Sequence, residues 1–205
     1  MELNPLVSFG LRAITLTAGV GNVWVNNVVV SRVFDAVTVL SVTADYGLQY
    51  LHHGNGANLA GLAIFGTSSV KACLVAAHPF DQKTRLGIAV GSFAVGTALS
   101  VASQLTLKHG FDPWTLLPIA GGAAGCGAVY AEDMALRRRF FLGVGATSAV
   151  FGGITGNWGM MWKNIIADIG SNVVAMIRDK DPLPSPRAGI KATRDFAGKL
   201  LHLRR

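Results

Sequence analysis

Residues 57–85 read ANLAGLAIFGTSSVKACLVAAHPFDQKTR. A helix crossing the hydrocarbon core of a bilayer needs about 20 mostly apolar residues. The run from Ala57 to Ala77 supplies such a stretch with Lys71 as its one charge. Pro79 then ends the helix, because proline has no N–H to continue the hydrogen-bond ladder. His78 to Arg85 follows as a polar loop carrying Lys83 and Arg85. An apolar span, a proline stop and a basic loop form the unit that the rest of the chain repeats.

Working outward, similar stretches run over 5–30, 33–51, 86–107, 114–130, 140–155 and 158–177, giving seven in all. The tight turns His52-His53-Gly54-Asn55-Gly56 and Gly156-Asn157 introduce the third and seventh. The runs are too continuous, and too rich in Ala, Gly and Leu, for the alternation of a membrane barrel. Charged residues make up 14% of the chain and mean hydropathy is +0.43. Soluble domains average about 25% charged residues, so little is available here for a water-facing skin. The expectation is an all-α membrane protein with about seven transmembrane helices over residues 1–178. A basic cytoplasmic tail with a Pro-rich linker occupies 179–205.

The basic residues set an orientation. Loops on one side hold Arg32, then Lys83 and Arg85, then Arg137, Arg138 and Arg139, and the tail falls on that same side. Together they account for fourteen of the eighteen Lys and Arg residues. Cytoplasmic loops collect these residues, so the pattern predicts an inner-membrane protein with its N-terminus outside and C-terminus in the cytoplasm. Topology thus accounts for the net charge of +7, and nucleic acid is not an expected partner. In the tail, Ile190, Phe196, Ala197, Leu200 and Leu201 can form an apolar stripe beside Lys191, Arg194 and Lys199. Such a helix would lie on anionic lipid; the other reading is a disordered positive tail. MELNPLV lacks a basic n-region and reads as part of the mature chain.

The two halves resemble each other. Gly54-Asn55 and Gly156-Asn157 open the third and seventh spans, and residues 68–74 (SSVKACL) resemble residues 171–177 (SNVVAMI). Two three-helix units joined by a linker helix, a 3+1+3 layout, follow from this. A parallel repeat of that kind places a substrate site between the units near the midplane.

Three stretches carry a family resemblance. They are Arg32-Val33-Phe34 leading to residues 49–54 (QYLHHG), residues 112–121 (DPWTLLPIAG), and Gly156-Asn157 through Asn172 to Arg178. The chain resembles the YgjV-type bacterial inner-membrane proteins, and more distantly the seven-helix SWEET and PQ-loop carriers. The PQ dipeptide of those carriers is absent, since Ile119 follows Pro118. The resemblance implies a 3+1+3 bundle with a solute pathway.

Asp45 and Asp168 fall within spans. An ionised carboxylate at the bilayer centre costs about 2.5 kcal/mol or more, so such groups face a cavity, pair, or bind protons. Lys163 and Asn164 lie close to Asp168 on one helix, at separations of five and four, and the four-residue spacing puts Asn164 beside it. Asn172 stands where the family and the carriers have an asparagine, and Ser68 and Ser69 occupy the matching region of the third span. An amide donates and accepts, which suits a hydroxyl-rich or zwitterionic solute; interhelical glue is the alternative role for all three. Asn22, Asn26 and Asn27 read as a span boundary, and Trp114, Trp158 and Trp162 as an interfacial belt.

Cys73 and Cys126 lie in apolar runs without a CxxC, so neither disulfide nor zinc is indicated. His52 and His53 lack a third ligand, and no catalytic constellation can be assembled. No cofactor, metal or enzymatic activity is expected. The partners expected are the lipid bilayer, a small polar solute and a second copy of the chain; the small-xxx-small pairs Gly87/Gly91 and Gly121/Gly125 read as close helix packing. A small-solute transporter is one functional expectation. The other is a non-transporting scaffold, whose bundle would be closed and whose polar groups would all be paired.

Overall fold

The computed structural model describes residues 5–107 and 110–181. It is all-helical, with no strand among the described residues. Helix α1 spans Pro5–Val23, α2 Val28–His53, α3 Gly56–Ala77 and α4 Gln82–Thr106. A 3-10 turn, Pro113–Thr115, leads into α5 at Leu116–Tyr130, and α6 spans Met134–Ile154. The last helix, α7, is built of Trp158–Asn164, a π turn Ile165–Gly170, and Ser171–Arg178. The tail stripe predicted over 190–203 lies outside the described residues.

Side-chain caps determine where these helices begin. Asn27 accepts from the N–H groups of Val29 and Val30, Asn55 from Asn58, Asp81 from Thr84, Asp133 from Leu136 and Asn157 from Met160. Each cap satisfies an amide that the first turn leaves unpaired, contributing about 1 kcal/mol. Two expectations change as a result. The first apolar stretch is divided at 24–27, and α2 starts early enough to include Arg32. The sixth helix starts at Met134 rather than Phe140, so it is 21 residues long and Arg137, Arg138 and Arg139 lie on it. Hydropathy placed these boundaries at the edge of the apolar run, but the cap decides them.

The helices form a ring. α2 sits between α1 and α3, and α6 between α5 and α7. The ring closes through α1 on α7 and α5 on α3, while α4 packs outside across α3 and α5. Both closing seams use a glycine: a methyl on Gly19 of α1 would lie 2.6 Å from the Ala167 Cβ, and one on Gly122 of α5 would lie 3.0 Å from Ile64. Small residues allow such close helix approach. One end of the ring carries the Gly54-Asn55 and Gly156-Asn157 turns. Both glycines have positive φ, 62° and 72°, a conformation that costs glycine little.

The opposite end is rich in arginine. Arg137 is buried and pairs with Asp35, while its Nε donates to Ser31 Oγ at 3.2 Å and its guanidinium lies 5.2 Å from the Phe141 ring centroid. Arg85 pairs with Glu132, and Arg138 holds Asp179 at 2.7 Å and Asp181 at 2.8 Å beyond α7.

The distribution of polarity is unusual for a protein in water. Buried positions hold as many polar or charged side chains as apolar ones. Large apolar side chains instead face outward, among them Phe9, Leu40, Val70, Leu99, Val150 and Val174. Two helices, α3 and α4, are long and apolar enough to cross a membrane.

Tyr46 lies flat over Gly61, where an added Cβ would collide with its ring. Gly61→Ala should therefore lower stability by about 1–3 kcal/mol through overpacking. Gly87→Ala, with nothing within 4 Å, should not; thermal melting of the two purified variants checks the difference. Hydrogen bonds and the charges of Arg178 and Arg138 hold the Asp179 carboxyl down at about 2. A depressed carboxyl stabilises the fold above its unfolded value of about 3.9. That contribution should persist at neutral pH and disappear only as the pH falls through about 2, as followed by the carboxyl carbon shift of Asp179.

Candidate functional site

Three helices bring four ionisable side chains together in the half of the ring nearest the glycine turns. Asp45 of α2 is 2% exposed. Its Oδ1 is 3.8 Å from Nη2 of Arg12 on α1, and its Oδ2 is 4.0 Å from Nζ of Lys163 on α7. Lys163, also buried, lies in the field of Asp168 as well. Two cations and two carboxylates make the group neutral, which limits the cost of taking it out of water. The distances within it are long for direct hydrogen bonds. Asp45 Oδ1, Lys163 Nζ and the neighbouring Tyr46 hydroxyl are buried without a hydrogen-bond partner.

The π turn is what makes this group possible. Five residues on an α-helix leave two side chains about 140° apart, so Lys163 and Asp168 would point in different directions. A π turn hydrogen-bonds i to i+5, and here the Ser171 N–H donates to the Ile166 carbonyl. The turn brings Lys163 and Asp168 towards the same side. The four-residue reading had instead paired Asp168 with Asn164, whose amide donates to the Met160 carbonyl at 2.9 Å.

Glycines provide the space. A methyl on Gly145 of α6 would lie 2.7 Å from the Asp168 Cβ, and one on Gly159 would collide with the Arg12 guanidinium.

Above this group a cavity of about 640 Å³ opens at the end of the glycine turns. Arg12 and Gln49 form part of its wall, with Asn58 on α3 and both capping asparagines, Asn55 and Asn157. Arg12 Nη2 donates to Asn157 Oδ1 at 3.4 Å. Deeper along α2 and α3 lies an aromatic cluster: Tyr46 stacks on Phe65 with centroids 5.2 Å apart, and Phe151 lies 5.8 Å from Tyr46. On the far side of Phe65 is a second, mostly apolar cavity of about 50 Å³, reached by Ser68, Lys71 and Asp35. The Arg137–Asp35 pair lies at its arginine-rich side.

The residues singled out from sequence are divided among these places. Asp45 and Asp168 belong to the ionic group, and Ser68 borders the small cavity. Ser69 binds Thr43 Oγ1 at 2.7 Å and the Phe65 carbonyl at 2.8 Å, joining α3 to α2. Asn172 donates to the Asp168 carbonyl at 2.6 Å within its own helix. None of the five lines the large cavity, which lies nearer one end of the ring than the predicted midplane site. Arg12 and Lys163 did not stand out in the sequence as site residues. Their signal was present: each is an isolated cation inside an apolar run.

Removing one partner of a buried ion pair typically costs about 3–5 kcal/mol, whereas removing both costs less. Lys163→Met and Asp45→Asn should each be strongly destabilising, and the double variant should recover a large part of the loss. A double-mutant cycle by thermal or denaturant unfolding measures the coupling. Comparison of the chain with known protein families, with curated proteins and with solved structures gives no match.

Proposed function

We propose that this chain is a seven-span membrane protein of the bacterial inner membrane that carries a small polar solute between two three-helix units. The observation that carries this reading is the polar cavity of about 640 Å³ that opens at the glycine-turn end, with the Tyr46, Phe65 and Phe151 cluster packed deeper in the bundle. A carrier needs a solvent-reached site on one side of a barrier and a sealed path on the other. Here the wide cavity, the aromatic cluster, the small cavity and the Arg137–Asp35 pair follow one another along the ring.

The membrane assignment rests on where polarity lies. Water would penalise an apolar exterior over a charged interior, whereas a bilayer favours that arrangement. The arginine-rich end collects basic residues as a cytoplasmic side does, so the wide cavity faces outward. The repeat is supported by the paired Gly-Asn turns and by the matching seams, α1 on α7 and α5 on α3. Under exchange of the two halves these seams map onto one another, as the YgjV-type resemblance implies. A scaffold would be expected to pair its polar groups. Among the described residues the buried Tyr46 hydroxyl has no hydrogen-bond partner, and a wide cavity opens at one end of the ring, which favours the carrier.

Two measurements test this. In a variant with Cys73 and Cys126 replaced by alanine, Thr155→Cys should react with a membrane-impermeant maleimide added outside, and Ser68→Cys should not. In proteoliposomes, counterflow of at least one class among sugars, amino acids, organic acids and cations should exceed that of protein-free vesicles. Labelling of Ser68→Cys at the same rate as Thr155→Cys would remove the barrier. Absence of flux for every class would end the carrier reading.

A further inference from the structure

The wide cavity has a charge of one sign. Among the described residues, Arg12 is the only ionisable side chain in its wall, and the other polar side chains there are neutral amides, the Thr155 hydroxyl and the Trp158 indole. Arg12 is 27% exposed, within reach of a ligand, whereas Asp45 behind it is 3% exposed. The guanidinium is also incompletely engaged. Its Nη2 is 3.4 Å from Asn157 and 3.8 Å from Asp45, and its Nε has no hydrogen-bond partner. A loosely held guanidinium in the wall of a cavity whose described lining holds no carboxylate is suited to capture of a carboxylate. The N-terminus of α3 opens at the same wall and adds partial positive charge.

We infer that the cavity binds a small hydroxylated carboxylate, with Arg12 taking the carboxylate and Gln49, Asn55, Asn58 and Asn157 taking its hydroxyls. This rests on the carrier reading only for what happens after binding. Asn55 and Asn157 accept cap hydrogen bonds through Oδ1 and offer their amide N–H groups, while Gln49 and Asn58 can supply both donors and acceptors. A volume of about 640 Å³ accommodates a six-carbon acid. The internal carboxylate of Asp45 competes with the ligand for Arg12, and Lys163 holds Asp45 when the ligand prevails. Binding is thereby an exchange of one carboxylate for another on Arg12, with Asp45 kept beside a cation by Lys163.

Gluconate and sorbitol provide a matched pair: the same chain of hydroxyls, with and without a carboxylate. For the full-length protein in detergent, gluconate should raise the melting temperature in a saturable way and sorbitol should not. Arg12→Gln should weaken gluconate binding about tenfold or more, the usual effect of losing a charged hydrogen bond. Arg12→Lys should retain part of it. Asp45→Asn removes the internal competitor and should bind gluconate more tightly than the parent, which damage to the fold would not produce. Equal stabilisation by both compounds, or gluconate affinity within about twofold of the parent in Arg12→Gln, would overturn the inference. So would weaker binding by a folded Asp45→Asn. The same two solutes are then used in proteoliposome counterflow. Carboxylate-selective binding without flux refutes the carrier and leaves the site intact. Flux of sorbitol equal to that of gluconate refutes the site and leaves the carrier intact.

Discussion

The buried carboxylate of Asp45 sets the conditions that the surrounding helices meet. A charge with 2% exposure must be compensated, and α2 carries no cation at hand to do so. Compensation comes instead from α1 through Arg12 and from α7 through Lys163. The first, second and seventh helices are thereby tied at one level of the ring, and α1 closes against α7 where Gly19 meets Ala167. Glycine at 145 and 159 follows from the same demand, since the bulk of Asp168 and Arg12 must fit between helices. The π turn follows too, because a regular helix would turn Asp168 away from Lys163.

Much of the architecture was legible in the sequence because it depends on short-range chemistry. The helix count followed from apolar runs and their punctuation, and the Gly-Asn turns were visible as a repeated pair. Boundaries were less legible. Asn27 and Asp133 begin helices upstream of the apolar runs, and a hydropathy window cannot weigh one side-chain cap against three arginines. Arg137 is the clearest example. As a loop residue it would be solvated, yet it lies 1% exposed against Asp35, Ser31 and the Ala128 carbonyl.

The site was legible only in part, for a related reason. Asp45 and Asp168 were conspicuous as carboxylates in apolar surroundings. Their partners depended on two facts that no local pattern contains. One is the closure of α1 on α7, across almost the whole length of the chain. The other is a π turn that changes which spacing aligns side chains. Asn172 and Ser69, chosen by resemblance and residue type, instead hold backbone carbonyls within and between helices.

Arg137 at one end of the ring and the Arg12, Asp45 and Lys163 group towards the other differ in how completely their charges are satisfied, and this bears on the proposed carrier reading. At the arginine-rich end, Arg137 meets a carboxylate, a hydroxyl, a backbone carbonyl and an aromatic face together. At the glycine-turn end, Arg12, Asp45 and Lys163 stand 3.8–4.0 Å apart with donors and acceptors unused. Separating Arg137 from its partners breaks several contacts at once and costs accordingly; engaging a ligand at Arg12 breaks little. A ligand can shift such an equilibrium only by binding one state better than the other. Under the proposed carrier reading, the free energy for opening the arginine end comes from contacts that the wide cavity makes only as it closes. The loose fit of Arg12 and Asp45 leaves those contacts still to be made.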